Sequence, residues 1–413
     1  MKILYLSPAG RSGGAERVLI DSLASLRAAY PDWELELIAA SDGELVQEAE
    51  ALGVRSRVMP FPRALAAIGD AGAGGPAGNR WRRYGIAVRL AIAAPAIALY
   101  LGKLRRLIGQ SRPDVIHSNG FKMHLLGSRA AARRTPVIWH MHDFASRRPM
   151  MSRLLRAEAG RCAGAIAISR SVAGDLRATL GEKTPITTVY NAVDLRRFVP
   201  QGPRLDLDAL AAMPPAERGT VRIGLLATMA RWKGHEVFLR AIARIACDKP
   251  FRAYVIGGPL YETDGSQYSL SALRATAREL GLGEHVGFTG FVKDPAAALR
   301  ALDIVVHAST EPEPFGLVIA EAMACGRAVI ASAGGGAAEI VNAGTDALTH
   351  RPGDNAMLAE LIAQLASDPD RRRRLGCAAA ATASRRFGRE RLAYELAPIY
   401  QAAIEQAANA DYH

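Results

Sequence analysis

A chain of 413 residues, 49% apolar and 22% charged, has the length for two domains and the composition of ordinary globular protein, which excludes disordered and fibrous classes. Its cysteines, Cys162, Cys247, Cys325 and Cys377, stand far apart without CxxC spacing or neighbouring histidine clusters, so neither a zinc centre nor a disulfide framework is indicated and a reducing cytoplasm fits. The net charge of +12 is uneven: residues 80–161 carry 17 Lys or Arg against 3 Asp or Glu, a local balance of +14 that leaves −2 for the remainder. A one-sided basic stretch fits an anionic partner, whether a phospholipid surface, a lipid-linked pyrophosphate or an acidic saccharide, and it also fits a plain solubilising surface.

Residues 2–7 (KILYLS) predict a buried parallel strand rather than the core of a signal peptide. A glycine-rich turn over 8–14 leads into a helix near Ala15, without the G-x-G-x-x-G spacing of a dinucleotide fingerprint. The next two strands are expected at 33–40 (WELELIAA) and 54–60, and a flexible loop at 69–79 (GDAGAGGPAGN). After it, 80–84 (RWRRY) precede an apolar run over 86–101 that Arg89 and Pro95 interrupt. That run is too short to cross a bilayer, and it reads either as a helix packed on the sheet or as one lying in a membrane interface. Further strands are expected at 115–117, 137–142, 163–169 and 187–189. Alternation in 136–143 (PVIWHMHD) puts His140 and His142 on one face and Trp139, Met141 and Asp143 on the other. His142 is nearer the carboxyl end, where ligands gather in doubly wound sheets. Residues 200–219 have linker composition, and Asp206 and Asp208 within them read as solvated turn residues rather than a metal-binding pair. A second doubly wound unit is expected from the strand at 221–226, with others at 253–258, 286–291, 303–308 and 328–331. Residues 389–406 carry helical spacing at Leu392, Leu396, Ile399 and Ile404.

The most informative stretch is 313–331 (EPFGLVIAEAMACGRAVIA). A loop feeds a short apolar helix that Gly326 stops, and between Leu317 and Ala324 the one charged residue is Glu321. A carboxylate on a helix whose other faces are buried needs donors. Free N–H groups near Gly316 and Leu317 make an anion site at the helix start, and Glu321 lies ~7.5 Å further on at about 1.5 Å per residue, a separation that suits a diphosphate beside a ribose. Glu313, just ahead of the helix, is placed to meet a group beyond the phosphates. Two glutamates eight positions apart around Pro-Phe-Gly resemble the E-x7-E signature of family 4 glycosyltransferases, retaining enzymes of the GT-B fold.

That resemblance implies an α/β protein of two doubly wound Rossmann-like domains facing across a cleft. The acceptor domain would span 1–198, a linker 199–219 and the nucleotide-sugar domain 220–388, with the final helix, about 389–413, packed back on the first domain. It implies that Glu321 binds the ribose hydroxyls, that Glu313 contacts the donor sugar, and that the backbone of Phe315, Gly316 and Leu317 lies along sugar and diphosphate. Lys233 stands in a segment similar to the family's R-x-x-x-K-G, and two cations at a helix entry suit two phosphates. Arg231 would be a displaced substitute for the family's arginine, since this chain has Ala227 and Thr228 directly after the strand. By the same resemblance His142 contacts the donor sugar, Phe291 or Val292 meets the base through its backbone, and Gly258 lies in a glycine turn at the ligand edge. Gly13 and Gly14, in a GGAE turn, either let the backbone approach donor or acceptor or close a tight structural loop.

Two further segments resemble family elements: 189–198, an exit segment with Ala192 in place of glycine, and the glycine loop at 334–336 with Glu339. The implied chemistry is metal-independent and cofactor-free transfer of a sugar, with retention, from a UDP- or GDP-linked donor to a saccharide or lipid-linked acceptor in cell-envelope or exopolysaccharide synthesis. No nucleic acid is expected as a partner, and the location is the cytoplasm, with peripheral contact at the inner face of an anionic membrane as an added expectation. The rivals are a GT-B sugar-nucleotide epimerase and a catalytically inert nucleotide-sugar-binding membrane scaffold.

Overall fold

The computed structural model describes residues 1–11, 13–67, 80–245, 249–259 and 266–409, with 80–92 as helix backbone. The loop expected at 69–79, the side chains of the 80–84 cluster and Cys247 lie outside the described residues. Cys162, Cys325 and Cys377 are free thiols. The chain divides into two compact units, Met1–Tyr190 with Arg389–His413, and Asn191–Gly388.

The first unit holds β1 (Lys2–Ser7), β2 (Glu34–Ala39), β3 (Arg55–Val58), β4 (Val115–Asn119), β5 (Val137–Met141), β6 (Gly164–Ala167) and β7 (Ile186–Thr188). They form one sheet in the order β3-β2-β1-β4-β5-β6-β7, every pair parallel. Near-continuous apolar runs suit strands that helices cover on both faces, and β4, β5 and β6 are buried throughout. β1 lies between β2 and β4, so the connections after β1 and β4 leave in opposite directions and the strand order reverses there. The C-terminal helix Arg391–Asn409 belongs to this unit: the Ala393 N–H donates to Ser25 Oγ at 2.9 Å, and Arg389 pairs with Asp21 at 3.4 Å. Helix Arg80–Ser111 runs through Pro95, and no helix among the described residues is long and apolar enough to cross a membrane.

The second unit repeats the plan with β8 (Val221–Leu226), β9 (Phe251–Ile256), β10 (Val286–Gly290), β11 (Ile304–His307), β12 (Ala328–Ser332) and β13 (Leu348–His350), ordered β10-β9-β8-β11-β12-β13. Ile223, Leu225, Val255, Val306 and Ile330 of the sheet meet Phe238, Leu239 and Ile362 of the flanking helices in a continuous core. Its strand-order reversal falls between β8 and β11.

Two expectations are corrected here. The first unit ends at Tyr190 rather than at residue 198, because the Val193 N–H donates to the Phe387 carbonyl at 2.7 Å and so ties the exit segment to the last helix of the second unit, Pro369–Phe387. Within the largely exposed stretch at 199–219, the expectation that Asp208 is a solvated turn residue is overturned. Leu207–Leu210 is a short helix capped by Asp206, and Asp208 is buried: Tyr254 Oη and Arg252 Nη1 donate to its Oδ1 at 2.6 and 2.7 Å, and Arg222 Nη2 and the Ala216 N–H to its Oδ2 at 2.9 and 3.0 Å. Composition reads as linker because the side chains that bind Asp208 come from β8 and β9, which the local sequence does not contain.

Candidate functional site

In the second unit all strands run parallel, so their carboxyl ends share one edge, and the reversal between β8 and β11 opens that edge. Lys233 comes from the turn Arg231–Lys233 after β8, and Glu313 from the loop after β11. Lys233 Nζ donates to Glu313 Oε2 at 2.8 Å and to Oε1 at 3.0 Å, and Glu313 is only 6% exposed. Two residues that the sequence reading did not single out complete the carboxylate's surroundings. His307, the last residue of β11, reaches Oε2 with Nε2 at 3.1 Å, and Ser309 Oγ donates to Oε2 at 2.9 Å. The Ser332 N–H points at His307 Nδ1 at 3.4 Å, which makes Nδ1 the acceptor and leaves the proton on Nε2, facing Glu313. Burial alone would raise the Glu313 pKa, but the Lys233 ammonium and the His307 hydrogen bond outweigh it and hold the carboxyl well below the usual carboxylate range. The Glu313 carboxylate is therefore ionised at neutral pH.

Backbone packing sets this pair in place. Gly234 has φ +75°, and a Cβ there would stand 1.9 Å from the Ala308 carbonyl oxygen, so the Lys233 turn lies directly against the end of β11. The Trp232 carbonyl accepts from the Thr310 N–H at 2.8 Å. On the other side the Glu313 N–H donates to the Gly334 carbonyl at 3.2 Å, and the Gly336 N–H donates to the Glu313 carbonyl at 2.7 Å. Gly335, at φ +64°, would bring a Cβ within 2.5 Å of the Glu313 carbonyl oxygen, which is why glycine is required in the loop at 334–336. Gly234→Ala is expected to cost about 2–4 kcal/mol through backbone strain and overlap, seen as a lower thermal unfolding midpoint.

Helix Leu317–Ala324 follows, with Gly316 as its N-cap at φ +98°. Ile319, Ala320, Ala322 and Met323 are buried while Glu321 remains half-buried, so the one acid of the helix keeps a face toward solvent. Phe315 is buried edge-on against Phe387, with centroids 6.0 Å apart, so it is an anchor whose backbone alone is available to a ligand. Phe291, just after β10, is 60% exposed, and its ring lies over Gly258, where a Cβ would meet Phe291 Cε2 at 2.8 Å. Val292 beside it is half-buried. The Arg231 guanidinium, from the same turn as Lys233, stacks on Tyr268, 4.6 Å from the ring centroid.

In the first unit, β1, β4 and β5 present their own carboxyl edge. His142 Nε2 lies 3.0 Å from Asn119 Oδ1, at the end of β4, and its ring centroid is 4.2 Å from that of His140. Burial pushes the His142 pKa down to about 3, so the ring is neutral at pH 7 and offers hydrogen bonds rather than charge. His140 Nδ1 meets His117 Nε2 at 3.1 Å, and His117 Nδ1 meets Tyr400 Oη at 2.8 Å, which seats His140 and His117 in a buried network. Gly13 is the N-cap of helix Gly14–Ala29, and its N–H is held by the Glu16 carboxylate, as in a capping box. Asn119, His307 and Ser309 had one signal in the sequence, their place as polar residues at or just past the carboxyl end of an apolar strand.

Two doubly wound parallel units, the second with a lysine–glutamate pair at its strand-order reversal, are the architecture expected of the GT-B class. The family described as "Glycosyl transferases group 1" matches residues 216–382, and "Glycosyltransferase Family 4" matches 12–197. D-inositol 3-phosphate glycosyltransferase 1 of Catenulispora acidiphila is 30% identical over 78% of this chain and 82% of its own. A GDP-mannose-dependent alpha-(1-6)-phosphatidylinositol monomannoside mannosyltransferase of Mycolicibacterium smegmatis is 28% identical over 70% and 76%. The crystal structure of HepE from Anabaena in complex with UDP-glucose superposes with a TM-score of 0.76 at 25% identity, covering 97% of this chain and 100% of that one. This chain belongs to glycosyltransferase family 4, the group 1 glycosyl transferases.

Proposed function

We propose that this glycosyltransferase moves a sugar, with retention, from a UDP-linked donor to a saccharide or lipid-linked acceptor. The observation that carries the reading is the ionised Lys233–Glu313 pair at the reversal between β8 and β11. HepE, similar over almost the whole chain, has been crystallised with UDP and with UDP-glucose, which favours uridine. The mycobacterial relative is GDP-mannose-dependent and keeps GDP as the donor to test against.

In this reading Lys233 and the helix N-terminus at Gly316 and Leu317 neutralise the diphosphate as it leaves, with Arg231 adding charge nearby. Glu321 takes the ribose hydroxyls, the exposed Phe291 and neighbouring Val292 take the base beside Gly258, and Glu313 orients the donor sugar. His142, held neutral with its Nε2–H on Asn119 Oδ1, accepts a hydrogen bond from a sugar hydroxyl at Nδ1. The bond from the anomeric carbon to the phosphate oxygen breaks, a bond to the acceptor oxygen forms, and the departing phosphate oxygen takes the acceptor's proton. Lysine, arginine and helix N–H groups do the neutralising, so the reading is metal-free.

The surplus of cations over 80–161 favours an acceptor presented at an anionic membrane surface from the cytoplasmic side. Incubation with labelled UDP- and GDP-sugars, with saccharide and lipid acceptors and with or without anionic vesicles, tests the whole reading. Acceptor-dependent product from a UDP-sugar, increased by anionic vesicles, is expected. A changed sugar nucleotide without any acceptor would favour the epimerase, binding without product the inert scaffold, and vesicle-insensitive rates would remove the membrane.

A further inference from the structure

Lys233 carries a single positive charge, and its ammonium donates to both carboxylate oxygens of Glu313. If Lys233 is also the diphosphate's ligand, as the donor-site reading above has it, the two anions compete for one ammonium. We propose that Lys233 serves them in turn, Glu313 while the site is empty and the diphosphate once the donor is bound, and that His307 and Ser309 are positioning residues that keep the Glu313 carboxylate in place when Lys233 departs.

Lysine suits an exchange of this kind. It is a point charge on a flexible stem with rotatable donors, so it turns from one anion to another without the fixed fork geometry of arginine. A buried carboxylate stripped of its cation is costly unless other donors remain. Here they do remain, and they are unevenly shared between the two oxygens. Oε2 keeps His307 Nε2 at 3.1 Å and Ser309 Oγ at 2.9 Å, whereas among the described residues Oε1 has Lys233 alone, at 3.0 Å. When Lys233 leaves, Oε2 stays anchored and Oε1 becomes the acceptor for a sugar hydroxyl.

The anchor is itself braced. Ser332 Oγ donates to the Ser309 carbonyl at 2.6 Å, and the Ser332 N–H fixes the His307 tautomer. His350 Nε2 meets the His307 carbonyl at 3.2 Å from β13. Three neighbouring strands thus hold the two donors independently of Lys233. The arrangement converts arrival of the diphosphate into exposure of a charged acceptor toward the sugar, which places Glu313's pull on the sugar after nucleotide binding.

Calorimetric titration with UDP and with GDP, alongside initial rates with the donor identified by the transfer screen, tests the exchange. Glu313→Gln removes the competing charge, so its nucleotide Kd is expected to fall ~10-fold below wild type while transfer is lost. Ser309→Ala leaves Lys233 and its charge competition alone: nucleotide Kd is expected to stay within about 2-fold, kcat to drop ~10-fold, and Ser309→Thr, which restores the hydroxyl, to recover most of it. A role in folding alone would move the unfolding midpoint and nucleotide affinity together and would not be rescued by threonine. Equal or weaker nucleotide binding by Glu313→Gln overturns the exchange, and an unchanged kcat in Ser309→Ala overturns the anchor. Absence of UDP and GDP binding by the wild-type chain is a different result, which overturns the donor assignment on which both rest.

Discussion

Lys233→Ala is expected to lower kcat/KM by roughly 10²–10³, the scale seen when one preorganised donor to a developing negative charge is removed. Two losses combine. The diphosphate loses an ammonium at the moment its charge grows, and Glu313, almost wholly buried, loses the cation that pairs with it in the empty site. The Glu313 pKa should rise from its depressed value, while His307 Nε2 and Ser309 Oγ continue to hold the carboxylate in place. Stabilisation of the folded protein by UDP, which follows RT ln(1 + [L]/Kd), should shrink as well. Thermal shift with UDP and steady-state kinetics read the two effects separately, and full activity in the variant would remove Lys233 from the chemistry.

The second large effect is on stability, at the opposite end of the second sheet. Asp208→Ala is expected to destabilise the second unit by about 3–5 kcal/mol, because it strands the guanidiniums of Arg222 and Arg252 and the buried Tyr254 hydroxyl together. Arg222 and Arg252 each stand second in their strands, β8 and β9, at the amino ends. Lys233 and Glu313 lie past the carboxyl ends, so turnover per folded molecule should hardly change.

The pH dependence follows from the direction of the shift. Burial would raise the Asp208 pKa, but hydrogen bonds from Tyr254, Arg252, Ala216 and Arg222 outweigh it and depress the folded-state value. A depressed acid contributes stability that is fully present above its unfolded pKa, near about 3.9, and is lost as pH falls through the folded value. The gap between wild type and Asp208→Asn in urea unfolding should thus be constant from neutral pH down to about 5 and narrow below it. A gap that widens on acidification would contradict this account.

Much of the architecture was legible because it is written locally. Continuous apolar runs such as KILYLS and DIVVHA mark strands buried on both faces, and β8 and helix Leu317–Ala324 fall on the residues expected. The pairing of motifs around Glu313 and Lys233 was also visible as chemistry at a helix entry. β13 was not singled out, since three residues, LTH, are too few for a pattern to show. Asp208 was misread for a related reason: its neighbours in sequence are rich in Pro, Asp and Ala without periodicity, while the side chains that bind it come from β8 and β9.

What the sequence by itself determined is most of the elements, their parallel character and the residue types at the strand ends, because periodicity, glycine positions and caps act over a few residues. Only the tertiary structure decided that β8 neighbours β11, and with it that Glu313 meets Lys233, His307 and Ser309, and that Asp208 is a buried anchor. Those contacts join residues as much as 80 positions apart, as between Lys233 and Glu313. Strand order is set by how whole apolar faces pack, a property that no short stretch of the chain contains.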